Sequence, residues 1–329
     1  MMNRNNETNP IDVSVVMLTY YCKDYVSKAI DTILEQETTY SYELVIADDY
    51  STDGTRDILK DYEEKYPDII RVIYNETNLG ITNNSYNARC QCRGRYITWA
   101  TGDDYWIDKQ KIQWQVDFLD NHSEYYAVGA VLEARFDDEE KPYAVYPKRK
   151  LQNKRITLDM YLKGAMFSTG GLMIHNEFLT EAGRQFFSIV PQASSYIDDA
   201  TECILILIKG AIFMSGRHST VHRVHRSIKN QRNYNSKYST KEKIRQHFEL
   251  YNNLHSILGN KYDLFHFYRE NVAWLQANSL VTRNFRGFME LYDTVPEEYR
   301  KRLLLFRSTL RCIGFIFSAI IQKIKVHIW

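Results

Sequence analysis

The stretch Val13–Tyr20, VSVVMLTY, is a nearly unbroken apolar run rich in β-branched residues. Such a run suits a strand buried on both faces, the kind found inside a parallel sheet. Outward from it the pattern repeats. Val26, Ala29, Ile30, Ile33 and Leu34 recur at the spacing of one helical face. Glu43–Ala47, ELVIA, reads as a second strand and runs into DDYSTDGT (48–55), a turn that can cap a helix carrying Ile58, Leu59 and Tyr62. IRVIY (70–74) and YITWA (96–100) are the third and fourth strands. This alternation predicts parallel βαβ units and an α/β sheet. Ligands in such sheets bind beyond the carboxyl ends of the strands. Asp48-Asp49 and Asp103-Asp104 both follow strand ends, so both pairs address one crevice.

Two adjacent carboxylates at the end of a buried strand repel each other, and desolvating them is costly unless a cation compensates. The stretch WATGDDYW (99–106) therefore points to a divalent metal carrying an anionic substrate, with a solvated turn as the plain alternative. Further on, Ile112, Val116 and Leu119 mark a helix, 126–136 an apolar strand, and STGGLMI (168–174) a small strand. YIDDATECILILIKG (196–210) reads as an acidic helix start followed by a buried helix, and AIFMS and STVHRVH as two separate strands. From about residue 236 the pattern is helical, with Ile244, Phe248 and Tyr251 on one face and a second helix across 261–281. The boundary expected is 1–235 for an α/β domain and 236–329 for a helical region.

The 329 residues are enough for one large and one smaller unit with a sizeable core. Hydrophobic residues at 44% and charged residues at 25% are ordinary for a globular chain, and a net charge of +1 argues against a nucleic-acid partner held by bulk electrostatics. Five cysteines without a CxxC pair read as reduced thiols, and the polar start MMNRNNETNPIDVS lacks the apolar core of a signal peptide, so a cytoplasmic location is expected. The longest apolar run, CIGFIFSAII near the C-terminus, is half the roughly 18–20 residues of a membrane span. Arg300, Lys301, Arg302, Arg307, Arg311, Lys323 and Lys325 flank it with no acidic residue beyond Glu298. That tail suits either peripheral contact with the inner face of an anionic membrane or a docked helix with solvated charges.

In order, VSVVMLTY, ADDYSTDGT, NLGITNN, GRYITWATGDDYW, YIDDATE and HRVH resemble the motifs of the family 2 glycosyltransferases, over residues 13–225. The resemblance implies a GT-A fold and an inverting, metal-dependent transfer of a sugar from a nucleotide-diphosphate donor to a hydroxyl of a glycan or lipid-linked acceptor, in cell-surface polysaccharide synthesis. A UDP-sugar is favoured, with dTDP and GDP open. Thr19 and Tyr20 match positions contacting the base and ribose, and Asp48 the carboxylate that accepts from a base N–H, while Asp49 reads as a turn residue or one that supports the site from behind. Asn78, Gly80 and Asn84 match a loop near the nucleotide. Asp103 matches the ligand of Mn²⁺ or Mg²⁺ and Asp104 a helper or ribose contact, with Thr101 where the family usually has an acid. Asp199 occupies the position of the general base, with Asp198 beside it where the family has Glu. Ser168, Thr169 and Gly170-Gly171 either let backbone approach the sugar or pack tightly in a strand. Strand alternation places Arg223 and His225 together, Arg223 toward the diphosphate and His225 toward the metal. Cys90-x-Cys92 has no second pair at zinc spacing and receives no role.

Two other readings fit the residues less well. A non-catalytic nucleotide-sugar or glycan-binding module draws on Thr101 and the shortened Asp198. A nucleotidyltransferase would want a Gly-rich, basic phosphate loop where TYYCKDYV stands.

Overall fold

The computed structural model describes residues 10–136, 139–196, 199–224, 238–282 and 285–303. The chain divides into two compact units, one of residues 1–161, 165–191 and 198–227 and one of 162–164, 192–197 and 228–329.

The first unit is a mixed sheet with helical crossovers. Its elements are β1 (Val13–Thr19), α1 (Val26–Leu34), β2 (Tyr42–Asp48), α2 (Thr55–Lys65), β3 (Ile70–Tyr74), α3 (Ile81–Cys90), β4 (Tyr96–Thr101), β5 (Tyr105–Trp106), α4 (Lys111–Asn121), β6 (Ala127–Phe136), β7 (Ala144–Tyr146) and β8 (Lys154–Ile156). Next come α5 (Leu158–Leu162), which ends in the second unit, β9 (Leu172–His175), α6 (Glu181–Phe187), α7 (Ile189–Ala193), which also crosses, α8 (Asp199–Lys209) and β10 (Ile212–Val224). The strand order is β3-β2-β1-β4-β9-β6-β10-β5, with β7 beside β6 and β8 beside β10. β1 to β4 are mutually parallel, as the apolar runs predict, and β9 is antiparallel to both β4 and β6.

Val13, Val15, Met17, Leu44 and Ile46 are buried against Val26, Ile30, Ile33 and Leu59 of the crossover helices. Val16 and Val45, on the opposite face, are buried as well, and that two-sided burial is why these strands carry no alternation. Register fixes the site: β1 Thr19 pairs with β2 Asp48, and β1 Leu18 with β4 Thr101. Three strands therefore end together, and the Asp pairs follow those ends. Gly102 allows the closest approach there, since a Cβ would stand 2.8 Å from Thr19 Cγ2 and 3.0 Å from Cys22 Sγ.

Two expectations change. Residues 168–171 are not strand: Thr169–Gly171 is a 3-10 turn capped by Ser168, and β9 begins at Leu172. The two strands expected near 211–225 are one strand of 13 residues, β10, whose pairing with β6 shifts register between Met214 and Thr220. Ser215-Gly216-Arg217 reads as a turn in sequence but is a bulge that keeps the strand going.

The second unit, among its described residues, contains α9 (Thr240–Leu258), α10 (Phe265–Thr282), α11 (Phe285–Tyr292) and α12 (Glu297–Arg302). Ser239 and Glu242 form a reciprocal capping box at the start of α9. Ile244, Phe248, Leu254, Leu264, Phe267 and Val272 are buried, and Tyr268 stacks on Tyr299 with centroids 4.7 Å apart.

Candidate active site

The end of β2 holds the most heavily engaged carboxylates. Asp48 is fully buried: Oδ1 accepts from Ser51 N at 2.9 Å and Arg56 Nε at 2.6 Å, and Oδ2 from the Thr19 hydroxyl at 3.1 Å. Arg56 also donates to the Asn75 carbonyl at 2.5 Å and lies over the rings of Tyr50 and Tyr74. Asp49 supports the site from behind. It accepts from Asn75 Nδ2 and Leu79 N on Oδ1 and from Gly80 N on Oδ2, at 3.1, 2.7 and 3.0 Å. Asn78 Nδ2 reaches the Asp49 carbonyl at 3.3 Å, and Asn84 bridges Asn75 and the Ala47 carbonyl. Gly80, at φ +80°, makes the bend that presents its N–H. The loop carrying Asn78, Gly80 and Asn84 is thus held against the second strand by Asp49.

Tyr21 and Tyr50 both have positive φ, 55° and 69°, and flank this end of the crevice. Strained backbone of this kind, costing about 1–3 kcal/mol per residue, concentrates at functional sites. Tyr20 and Tyr50 are exposed at 38% and 45%, leaving aromatic faces open beside Asp48 and Arg56.

At the end of β4, Thr101 donates its hydroxyl to Asp104 Oδ2 at 2.7 Å. Asp104 Oδ1 accepts from Arg223 N at 3.0 Å and stands 3.1 Å from His222 Nδ1. The Arg223 guanidinium donates to the Asp103 carbonyl at 2.9 Å and lies over Tyr105 and Tyr25, itself buried. So it is His222 that stands beside the carboxylates, a residue the alternation argument passed over, and Arg223 clamps the Asp103 backbone. Partial burial pulls the His222 ring down, but its hydrogen bond to Asp104 and the charges of Asp104, Asp103 and Asp199 outweigh that and hold it up at about 9.

Asp199 opens α8, and its Oδ1 accepts from the Thr169 hydroxyl at 2.7 Å. The next residue, Gly170, accepts from the Thr220 hydroxyl at 3.4 Å, two positions before His222. Ser168 is occupied in capping its own turn, accepting from Gly170 N at 3.3 Å. Asp103, Asp104, Thr169, Asp199 and Arg223 are brought together, and Thr19, Asp48, Asn78, Gly80 and Asn84 form the second half of the crevice. Asp198 and His225 lie outside the described residues. Among the described residues, no three His, Cys, Asp or Glu side chains are arranged to hold a metal on their own.

Residues 14–181 match the family model of glycosyl transferase family 2, just over half of the chain. The chain belongs to that family. It is 38% identical over 107 residues to the putative teichuronic acid biosynthesis glycosyltransferase TuaG of Bacillus subtilis, covering 32% of this chain and 41% of TuaG. It is 30% identical over 115 residues to the UDP-Glc:alpha-D-GlcNAc-diphosphoundecaprenol beta-1,3-glucosyltransferase WfaP of Escherichia coli, covering 35% and 44%. The chain spans less than half the length of the curated relatives it matches. Its fold resembles S. aureus TarS 1-349, solved with UDP-GlcNAc, at a TM-score of 0.59 and 16% identity, covering 93% of this chain and 89% of that one. The GT-A-like mixed sheet expected from the sequence is the fold observed.

Sequence reasoning missed Arg56, Asn75 and His222. One signal could have found His222: it is a histidine in the same HRVH stretch as Arg223 and His225. For Arg56 there was none beyond its place in the first turn of α2.

Proposed function

We propose that this chain transfers a sugar, with inversion, from a nucleotide-diphosphate donor to a hydroxyl of a glycan or lipid-linked acceptor in cell-surface polysaccharide synthesis. The observation that carries this reading is geometric: on β10, His222 stands 3.1 Å from Asp104, Arg223 donates to the Asp103 carbonyl, and Thr220 donates to Gly170 of the turn whose Thr169 holds Asp199. The strand-end acids and the acid at the head of α8 therefore share one crevice. The transfer domain is assigned to residues 1–235, and the helical region to 236–329.

In this reading Asp199 accepts the proton of the acceptor hydroxyl as that oxygen attacks the anomeric carbon. The bond from that carbon to the diphosphate oxygen breaks, and the configuration inverts. Thr169 holds the carboxylate in place, and Asp198 stands beside it. Tyr20 and Tyr50 offer rings to the base, Thr19 and Asp48 frame it with Arg56, and the Asn78–Asn84 loop and Ser168 line the donor's path. UDP is the favoured nucleotide, as in the named donors of WfaP and of the TarS complex.

A carboxylate oxygen from Asp103 suits a hard cation that keeps several waters. Asp103, with His225, would hold Mn²⁺ or Mg²⁺, and Asp104, whose oxygens are engaged by Thr101, Arg223 N and His222, would act as a helper or ribose contact beside it. The chemistry supplied there is neutralisation of the leaving diphosphate. The positive His222 and Arg223 add to the same end of the crevice. Of the basic tail beyond Glu298, Arg300, Lys301 and Arg302 end α12 and pair with Asp293, Glu297 and Asp263, and residues 304–329 lie outside the described residues; the role of the tail in this reading is peripheral membrane contact. No helix among the described residues is long and apolar enough to cross a membrane.

The test is product formation. The protein is incubated with UDP-sugars and an undecaprenyl-diphosphate-sugar acceptor in Mn²⁺, alongside Asp199→Asn. A new glycosylated lipid made by the wild type and absent with the variant supports the reading. Equal product from both removes Asp199 from the chemistry.

A further inference from the structure

Outside the crevice, the most heavily charged exposed feature is the connection from β7 to β8. Lys148-Arg149-Lys150-Leu151-Gln152-Asn153-Lys154-Arg155 places five cations in eight residues, and no acidic residue occurs from Lys141 to Leu158. All five cations are exposed, and so is Lys141. Among the described residues their charges form no ion pair, in a chain that otherwise pairs most of its surface arginines. A solvated strap of this charge density repels itself unless something anionic lies across it.

Its path is fixed by the sheet. β7 pairs with β6 at Leu132–Ala134, and β8 pairs with β10 at Ile212–Met214. Residues 147–153 therefore cross the face of β6 and β10, and Gly216 N in the β10 bulge donates to Asn153 Oδ1 at 2.9 Å, pinning the far end of the crossing. Tyr143 and Tyr146, at the head of the strap, are exposed at 53% and 41%, with Tyr143 stacked on Phe136 at 4.5 Å. Across the sheet Ala144 pairs with Ala134 and Ala134 with His222, so the strap begins two strands, about 10 Å, from the residue beside Asp104.

We propose that the strap from Tyr143 to Arg155 is a docking surface for an anionic lipid leaflet. Dense cations beside amphipathic tyrosine rings are what an anionic headgroup layer attracts and accommodates, and recognition of that kind needs no shaped pocket. A long nucleic acid or polymer fits less well, because the acidic run Asp137–Glu140 precedes the strap and would repel a polyanion continuing past its head. The surface is distinct from the C-terminal tail. Its purpose rests on the lipid-linked acceptor proposed above: it would hold the crevice at the leaflet where that acceptor lies. Its binding does not depend on catalysis.

The test is sedimentation of the full chain with vesicles of phosphatidylcholine, alone or with about one third phosphatidylglycerol, at physiological salt. The comparison is with Lys148→Gln/Arg149→Gln/Lys150→Gln/Lys154→Gln and with Tyr143→Ser/Tyr146→Ser, each checked by thermal unfolding. Each basic residue near such a leaflet is worth about fivefold in partitioning. The wild type is expected to bind the anionic vesicles well above the neutral ones, the four-charge variant to lose more than tenfold, and the tyrosine variant to lose less. The proposal is overturned by a wild type indifferent to lipid charge, by a four-charge variant that binds as well, or by displacement of the protein from vesicles by an equal charge of DNA. Sugar transfer without vesicle binding would sink this inference and leave the transferase reading standing. Vesicle binding without transfer would do the reverse.

Discussion

The Thr169 hydroxyl donates to Asp199 Oδ1 at 2.7 Å, which ties the first residue of α8 to the 3-10 turn that packs on β4, β6 and β10. A carboxylate held this way is oriented before any acceptor arrives, and orientation is a large part of what general-base catalysis requires. Replacing Asp199 with Asn is expected to lower kcat by about 10²–10⁴. Thr169→Val should lower it by about tenfold, the worth of one hydrogen bond, while Thr169→Ser stays near wild type. Release of the nucleotide diphosphate measures all three. A Thr169→Val enzyme as active as wild type would show that the tether does not matter.

Asp49 is expected to be as important to the donor end as Asp48, although it faces the protein. Its three accepted hydrogen bonds hold Asn75, Leu79 and Gly80. Asp49→Ala should cost about 1–3 kcal/mol of stability and weaken nucleotide binding, both readable by calorimetry. Unchanged nucleotide affinity would separate the loop from the donor.

Arg89 on α3 and Glu202 on α8 form an ion pair in which both side chains are buried. Arg89 also lies over the rings of Phe178 and Trp99. Removing one partner strands a buried charge, so Glu202→Leu is expected to cost about 3–5 kcal/mol in urea unfolding. The double variant Arg89→Met/Glu202→Leu should recover most of that loss. Additive losses would mean that the two charges do not compensate each other.

Lys111 is fully buried, donating to Thr98 Oγ1 at 2.5 Å and Gln115 Oε1 at 2.9 Å, with its ammonium over Trp106. Burial lowers its pKa from 10.5 to about 7, with Asp108 opposing weakly. Between those two values the unfolded chain holds a proton that the folded chain does not, so stability rises with pH across this window, with a slope of up to about 1.4 kcal/mol per unit. Below pH 7 both states are protonated and the cost is constant. Lys111→Met is expected to lose this slope between pH 7 and 9. The readout is the difference in unfolding free energy between variant and wild type at the two pH values, and a difference that does not change with pH contradicts the account.

The sequence made the parallel half of the sheet legible because strands buried on both faces are written as apolar runs, as in Val13–Thr19 and Tyr42–Asp48. The same logic located Asp48, Asp103 and Asp199 at element ends. It failed where pairing is made in three dimensions. β5 has two residues and β7 and β8 three each, too short for a period, and the Ser215–Arg217 bulge imitates a turn. Lys111 and Gln115 look like the polar side of a helix, yet both are buried, with Gln115 donating to the Gly171 carbonyl. Arg89 and Glu202 stand more than a hundred positions apart, and nothing local announces their pairing. His222 was passed over because alternation says which residues share a face but not which face looks onto the acids.

The most direct test of the central claim is a thermal-shift panel of UDP-, GDP- and dTDP-sugars, with and without Mn²⁺, on the wild type and Asp103→Ala. A ligand at 100 times its dissociation constant stabilises a fold by about 2.7 kcal/mol, which such a scan resolves. The account predicts stabilisation by the UDP-sugars that requires Mn²⁺ and is lost in Asp103→Ala. A wild type that responds to no nucleotide sugar under either condition would contradict it.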